Sequence, residues 1–122
     1  YINGIIEKAK AEGDFYLPQN IMEIYKTVQP SDVLVDKTNK KVTVAMLYNL
    51  DTTGGNSGSP VLDAYGNLIG VNFDRAFTAT INDFAWNEDY SRSIGVDIRY
   101  VLYVMKYIGK TDRLIDELNV KL

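Results

Sequence analysis

The sequence predicts a mainly β domain flanked by helices. Three observations predict it. Residues 41–50 are rich in β-branched and apolar side chains, with Val42, Val44 and Met46 alternating, which is the period of a half-buried strand. Residues 59–63 and 68–73 are apolar runs separated by Ala64-Tyr65-Gly66-Asn67, a stretch suited to a hairpin turn. At both ends the apolar period changes from two to that of a helix.

Taken in order, Ile2, Ile5, Ile6 and Ala9 fall at i, i+3, i+4 and i+7, a helical stripe that Gly13 should end. Pro18-Gln19-Asn20 opens a second stripe, Ile21, Ile24, Tyr25 and Val28, stopped by Pro30. Residues 30–41 are polar apart from Val33-Leu34-Val35, so a loop with a short strand is expected. Lys37, Lys40 and Lys41 read as a solvated turn rather than a basic patch, because Asp32 and Asp36 sit beside them. The strand 41–50 runs up to a glycine-rich loop, and the hairpin follows. Residues 74–90 carry Phe77, Phe84, Trp86 and Tyr90 and should form a long loop packed over a barrel. Residues 93–98 read as a last strand. Ile98, Val101, Leu102, Met105 and Ile108 then share a helical face closed by Gly109, and Thr111 is placed to N-cap a short final helix. The expected division is a helical lead-in at 1–30, a β-barrel half at 31–98 and helices at 99–122.

At 122 residues the chain is one small domain or part of a larger protein, and a hydrophobic fraction of 46% is enough for a core. It begins at Tyr1 without Met and is read as a piece of a longer chain, so a missing signal peptide carries no weight. A net charge of −3 with mixed signs gives no nucleic-acid surface. No apolar run approaches the roughly 20 residues of a membrane span. With no cysteine and no histidine, there is no disulfide, no thiolate nucleophile, no histidine or thiolate metal site, and no general-base histidine.

The stretch Thr52-Thr53-Gly54-Gly55-Asn56-Ser57-Gly58-Ser59-Pro60 carries the chemistry. A nucleophilic serine needs an exposed tight loop, and its oxyanion needs preorganised N–H donors. Gly54 and Gly55 bring bare backbone to the substrate, Gly58 leaves room behind Ser57, and Pro60 fixes the entry to the next strand. Ser57 is therefore the candidate nucleophile, and the N–H groups of Gly55 and Ser57 are the candidate oxyanion hole. The bland alternative is a glycine- and serine-rich turn. Loop, strand, turn and strand in this order resemble the second barrel of a chymotrypsin-like double β-barrel, whose histidine and aspartate lie in the first. Asn56 stands where the digestive peptidases of that fold carry an aspartate that pairs with a new N-terminus. A neutral amide cannot make that pair, but it can hold the loop. Asp51 lies six residues before Ser57, the spacing at which trypsin-like peptidases carry the aspartate on the floor of a pocket for Lys or Arg; the alternative is a cap on loop N–H groups. Arg75, just past the strand 68–73, offers a planar fork for a carboxylate, or else is a surface residue paired with Asp74 or Asp83.

Residues 51–62, 66–75 and 96–102 closely resemble the C-terminal end of the bacterial dipeptidyl-peptidases of the dipeptidyl-peptidase 7 and 11 group, serine exopeptidases with a large helical domain inserted in the catalytic domain. The resemblance runs from Leu50 onward. It implies that Ser57 is the nucleophile and that Asp74 helps to hold the free α-amino group of the substrate. It also implies that Arg75 marks the branch with Asp or Glu as the second substrate residue, and it disfavours the Lys/Arg pocket for Asp51. It implies peptide substrates, no metal or organic cofactor, and a periplasmic or surface location in a Gram-negative bacterium. The first barrel and the helical domain are then partners within the same longer chain, which could assemble as a homodimer. The 122-residue chain alone is expected to be inactive. An endopeptidase of the same fold, or a peptide-binding module that kept Ser57 by descent, are the alternatives.

Overall fold

The computed structural model describes residues 1–79 and 84–122. The chain divides into two compact units, one of residues 1–44 and 99–122 and one of residues 45–98. Residues 31–44 thus fall with the helical ends.

In the first unit, α1 spans Ile2–Lys8 and buries Ile2. It stops before Gly13 because Ala9 turns extended at φ −58° and ψ 135°. The chain then folds back, with the Lys10 N–H donating to the Phe15 carbonyl at 2.8 Å. Helix α2 spans Gln19–Thr27, with Pro18 at its N-terminal boundary, where a missing N–H costs nothing. It ends at Val28, two residues before Pro30. The short strand expected at 33–35 is a single 3-10 turn, Asp32–Leu34. Its Leu34 N–H reaches the Ser31 carbonyl at 3.0 Å, and Leu34 and Val35 are buried. The basic turn is as polar as expected. Asp36 Oδ1 accepts the N–H groups of Thr38 and Asn39 at 3.0 and 3.1 Å.

The C-terminal stripe begins as helix α3, Ile98–Tyr103, and continues as a π-helical turn, Val104–Ile108. The wider turn breaks the regular helical face, and the Gly109 N–H meets the carbonyl of Val104, five residues back, at 2.8 Å. Gly109 occupies the cap position with φ −77°, not the left-handed conformation usual for a capping glycine. Thr111 precedes α4, Asp112–Glu117, but does not cap it with its side chain. Its hydroxyl donates backwards to the Met105 carbonyl at 3.0 Å, which the π turn leaves within reach.

The second unit is a four-stranded antiparallel sheet in the order β1-β4-β3-β2. The strands are β1 Ala45–Tyr48, β2 Pro60–Leu62, β3 Leu68–Arg75 and β4 Ser93–Asp97. Strand β1 is shorter than the stretch 41–50 because the Val42 carbonyl is taken by the Ile2 N–H, at 3.0 Å, within the helical unit. The β2–β3 hairpin forms as expected around Asp63, whose carboxylate accepts the N–H groups of Tyr65 and Asn67 at 2.8 and 2.9 Å. Strand β4 is central, and Ser93, Gly95 and Asp97 are buried along one of its faces. Gly70 in β3 is required by packing: a Cβ there would lie 2.2 Å from the Met46 methyl and 2.5 Å from the Val96 carbonyl oxygen. The aromatic loop packs less than expected: Phe77 and Phe84 are 88% and 92% exposed, Trp86 is half-buried, and among the described residues of 74–90 the small Ala79 is buried, residues 80–83 lying outside the description.

Candidate active site

The glycine-rich loop joins β1 to β2, and its shape follows from three hydrogen bonds of Asn56. Asn56 Oδ1 accepts the Thr53 N–H at 2.8 Å, the Asn56 N–H donates to the Thr53 carbonyl at 3.2 Å, and the Asn56 carbonyl accepts the Ser59 N–H at 3.0 Å. The amide side chain thus holds the loop, as its place beside Ser57 suggested. Gly55 and Gly58 adopt φ +92° and +88°, conformations that a side chain would strain.

Ser57 is exposed at the tip. Its hydroxyl donates to the Phe73 carbonyl at 3.3 Å, a long contact that a stronger acceptor would displace. The amides around it divide in two. The N–H groups of Asn56, Gly58 and Ser59 are bonded to carbonyls, at 3.2, 2.8 and 3.0 Å. Those of Gly55 and Ser57 donate to nothing among the described residues. Unengaged donors on either side of an exposed hydroxyl are what a developing oxyanion requires.

A cleft of about 180 Å³ opens beside Ser57, lined by residues 52–54 and 72–75. Its far wall owes its form to a β-bulge. In the β3–β4 ladder Asn72 pairs with Gly95 and Asp74 with Ile94, so Phe73 is an extra residue. The bulge turns the Phe73 carbonyl toward Ser57 and brings both Asp74 and Arg75 to the cleft. Arg75 is half-buried, and its Nη1 donates to the Thr52 carbonyl at 3.4 Å. The exposed Asp74 carboxylate accepts the backbone N–H of Arg75 at 2.8 Å and makes no ion pair with its guanidinium. Asp83, the other partner considered for Arg75, lies outside the described residues.

Thr52 is held in turn by β4. Ser93 Oγ donates to the Leu50 carbonyl at 2.7 Å, which uses its only proton. The 2.6 Å contact between the Thr52 and Ser93 hydroxyls is therefore donated by Thr52. Asp51 is exposed and bonds to no loop N–H among the described residues, so the capping role expected for it falls to Asn56.

The loop, the bulge and the cleft thus gather Ser57, Gly55, Asp74 and Arg75 within one unit. Asn72, Tyr48 and Ser93 join them, and the sequence had not singled these out. Asn72 is a polar residue within an apolar strand, 6% exposed, which is the pattern that could have drawn attention to it. Among the described residues no group of three or more Asp and Glu is placed to hold a metal ion, and no helix is long and apolar enough to cross a membrane.

The family model described as Peptidase S46 matches residues 1–120, and the chain belongs to this family. The chain is 39% identical over 120 residues to an Asp/Glu-specific dipeptidyl-peptidase of Porphyromonas gingivalis, covering 98% of this chain and 16% of that protein. It is 40% identical over 118 residues to dipeptidyl-peptidase 7 of the same organism, covering 96% of this chain and 16% of that protein. Among solved structures, Porphyromonas endodontalis DPP11 in complex with the dipeptide Arg-Glu superposes with a TM-score of 0.89 at 31% identity, covering 99% of this chain and 17% of that one. The same enzyme in complex with substrate gives a TM-score of 0.90. The sheet and helices match that fold, and the chain spans about a sixth of the length of these relatives.

Proposed function

We propose that this chain is the nucleophile-bearing part of a serine dipeptidyl-peptidase that removes dipeptides from peptide N-termini, with Asp or Glu as the preferred second residue. The observation that carries it is the joint placement of an exposed Ser57, two unengaged N–H groups at Gly55 and Ser57, and Arg75 on the wall of the same cleft. In this reading the strands of the stretch 31–98, all within residues 45–98, belong to the second barrel of a chymotrypsin-like pair. The histidine and aspartate partners of Ser57 come from residues outside this chain, which has no histidine. Asp74 is the anchor for the protonated amino terminus, and Arg75 binds the acidic second side chain. That both similar proteins are named dipeptidyl-peptidases, one of them Asp/Glu-specific, supports the assignment. By family likeness the enzyme works in the periplasm or at the cell surface of a Gram-negative bacterium.

The test is turnover by the full-length protein of dipeptidyl substrates with Asp, Glu, Leu or Met second, each with a free or blocked N-terminus, in wild type and Ser57→Ala. Expected are cleavage of free N-termini only, preference for Asp and Glu, and loss of activity in Ser57→Ala. Cleavage of blocked peptides would instead favour an endopeptidase. No labelling of Ser57 by a fluorophosphonate would favour a binding module.

A further inference from the structure

Asn72 brackets Ser57 with three hydrogen bonds. Its Nδ2 donates to the Asn56 carbonyl at 3.2 Å, its carbonyl accepts the Gly58 N–H at 2.8 Å, and its N–H donates to the Ser59 carbonyl at 2.9 Å. The side-chain bond controls a donor directly. The peptide between Asn56 and Ser57 is planar and trans, so its C=O and N–H point in opposite directions. Drawing the Asn56 carbonyl toward Asn72, where it also accepts the Ser59 N–H at 3.0 Å, therefore aims the Ser57 N–H away from β3, unengaged among the described residues.

Which way the Asn72 amide faces is settled by chemistry. A carbonyl oxygen only accepts, so the NH2 must face Asn56. That leaves Oδ1 toward the Tyr48 hydroxyl, which must then donate to it, and the two are in hydrogen-bond contact. Burial raises the Tyr48 pKa, so its hydroxyl keeps its proton across the neutral range.

We infer that Asn72, oriented by Tyr48, is a positioning residue for the oxyanion hole, holding the Asn56–Ser57 peptide in the one orientation that presents the Ser57 N–H. This rests on Ser57 being the nucleophile. Asn72→Asp separates the role from mere packing. Its carboxylate faces the Asn56 carbonyl oxygen with no proton between them, and the repulsion favours a flipped peptide whose Ser57 N–H turns inward. Once protonated, the same carboxyl donates to Asn56 and accepts from Tyr48, as the amide does.

The experiment is kcat and KM of the full-length protein on an acidic dipeptidyl substrate from pH 5 to 8, for wild type, Asn72→Asp, Tyr48→Phe and Ser57→Ala. The ionisable groups lining the clefts beside Asn72 are Tyr48, Asp51, Asp74 and Arg75. They are shared by wild type and Asn72→Asp, as are any catalytic groups elsewhere, so the titration common to both drops out of their ratio, and a base whose pKa the new charge raises would make that ratio fall, not rise, as pH falls. Asn72→Asp should lose about a hundredfold in kcat near neutral pH, comparable to deleting one oxyanion donor, with KM little changed. Its ratio to wild type should rise as pH falls, by up to about tenfold per unit, as the carboxyl takes its proton. Tyr48→Phe should lose about three- to tenfold in kcat, because the amide is then free to flip. A ratio that is flat with pH, or undiminished activity, would overturn the inference. Should Asn72→Asp fail to fold, Tyr48→Phe decides, and wild-type kcat there overturns it. Activity in Ser57→Ala would remove the nucleophile assignment itself, whereas a dead Ser57→Ala beside an indifferent Asn72→Asp leaves the nucleophile and rejects only the positioning role.

Discussion

Replacing Arg75 by glycine should reshape substrate preference without touching the reactivity of Ser57. The guanidinium is half-buried on the cleft wall, and its bond to Thr52, at 3.4 Å, is long for a hydrogen bond. A substrate carboxylate would meet the guanidinium out of bulk water, where a charge-assisted and sometimes bidentate pair forms. Removing one partner of such a partly buried pair costs on the order of 3 kcal/mol. At about 1.4 kcal/mol per tenfold, kcat/KM on substrates with Asp or Glu second should fall roughly a hundredfold. Activity on Leu or Met in that place should rise relative to it. Arg75→Lys should recover only part, since a point charge cannot reproduce the planar fork. The assay is kcat/KM on matched dipeptidyl substrates of the full-length protein, with fluorophosphonate labelling of Ser57 in parallel. An acidic-to-apolar ratio that barely moves, with labelling intact, would show that Arg75 does not read the substrate, and the acidic preference would have to be abandoned.

The 122-residue chain alone should not turn over dipeptidyl substrates, because without histidine Ser57 lacks a general base; Ser57-dependent turnover by the purified chain would refute this. Asp63 should titrate below an ordinary aspartate, chiefly because the Asn67 side chain and then the Asn67 N–H stabilise its charged form. Its folded pKa lies under the unfolded value of about 3.9, so its contribution is complete above that value and lost as pH falls through the folded pKa. An NMR titration of the Asp63 carboxyl with a midpoint at or above 3.9 would contradict it. Gly70→Ala should destabilise the sheet by about 1–3 kcal/mol, since the new methyl meets the rigid Val96 carbonyl as well as the flexible Met46; an unchanged Tm would count against that packing.

What the sequence disclosed is what depends on local period and local turn chemistry. The stripes of α1 and α2, the hairpin around Asp63 and the loop at Ser57 all follow from residues close together in the chain. The features it concealed depend on pairing across distance. Phe73 becomes a bulge only against Gly95 and Ile94, and nothing in its neighbours announces it. Val33, Leu34 and Val35 have strand propensity, but among the described residues no strand pairs with them, and one helical turn buries Leu34 and Val35 instead. Thr111 has the chemistry of an N-cap, yet the π turn before it offers its hydroxyl a nearer carbonyl. Asn72 and Ser93 looked like ordinary strand residues because their partners, Asn56 and Thr52, lie 16 and 41 positions away.

The bulge at Phe73 also sets what kind of change this cleft can absorb. Side chains alternate along a strand, so the extra residue exchanges the faces of everything between it and the end of β3. Deleting Phe73 would regularise the ladder and carry Asp74 and Arg75 each to the opposite face. Chain length at this point acts as a switch on two functional groups at once. Substitutions can tune the cleft one contact at a time, but a single-codon deletion there would dismantle it in one step.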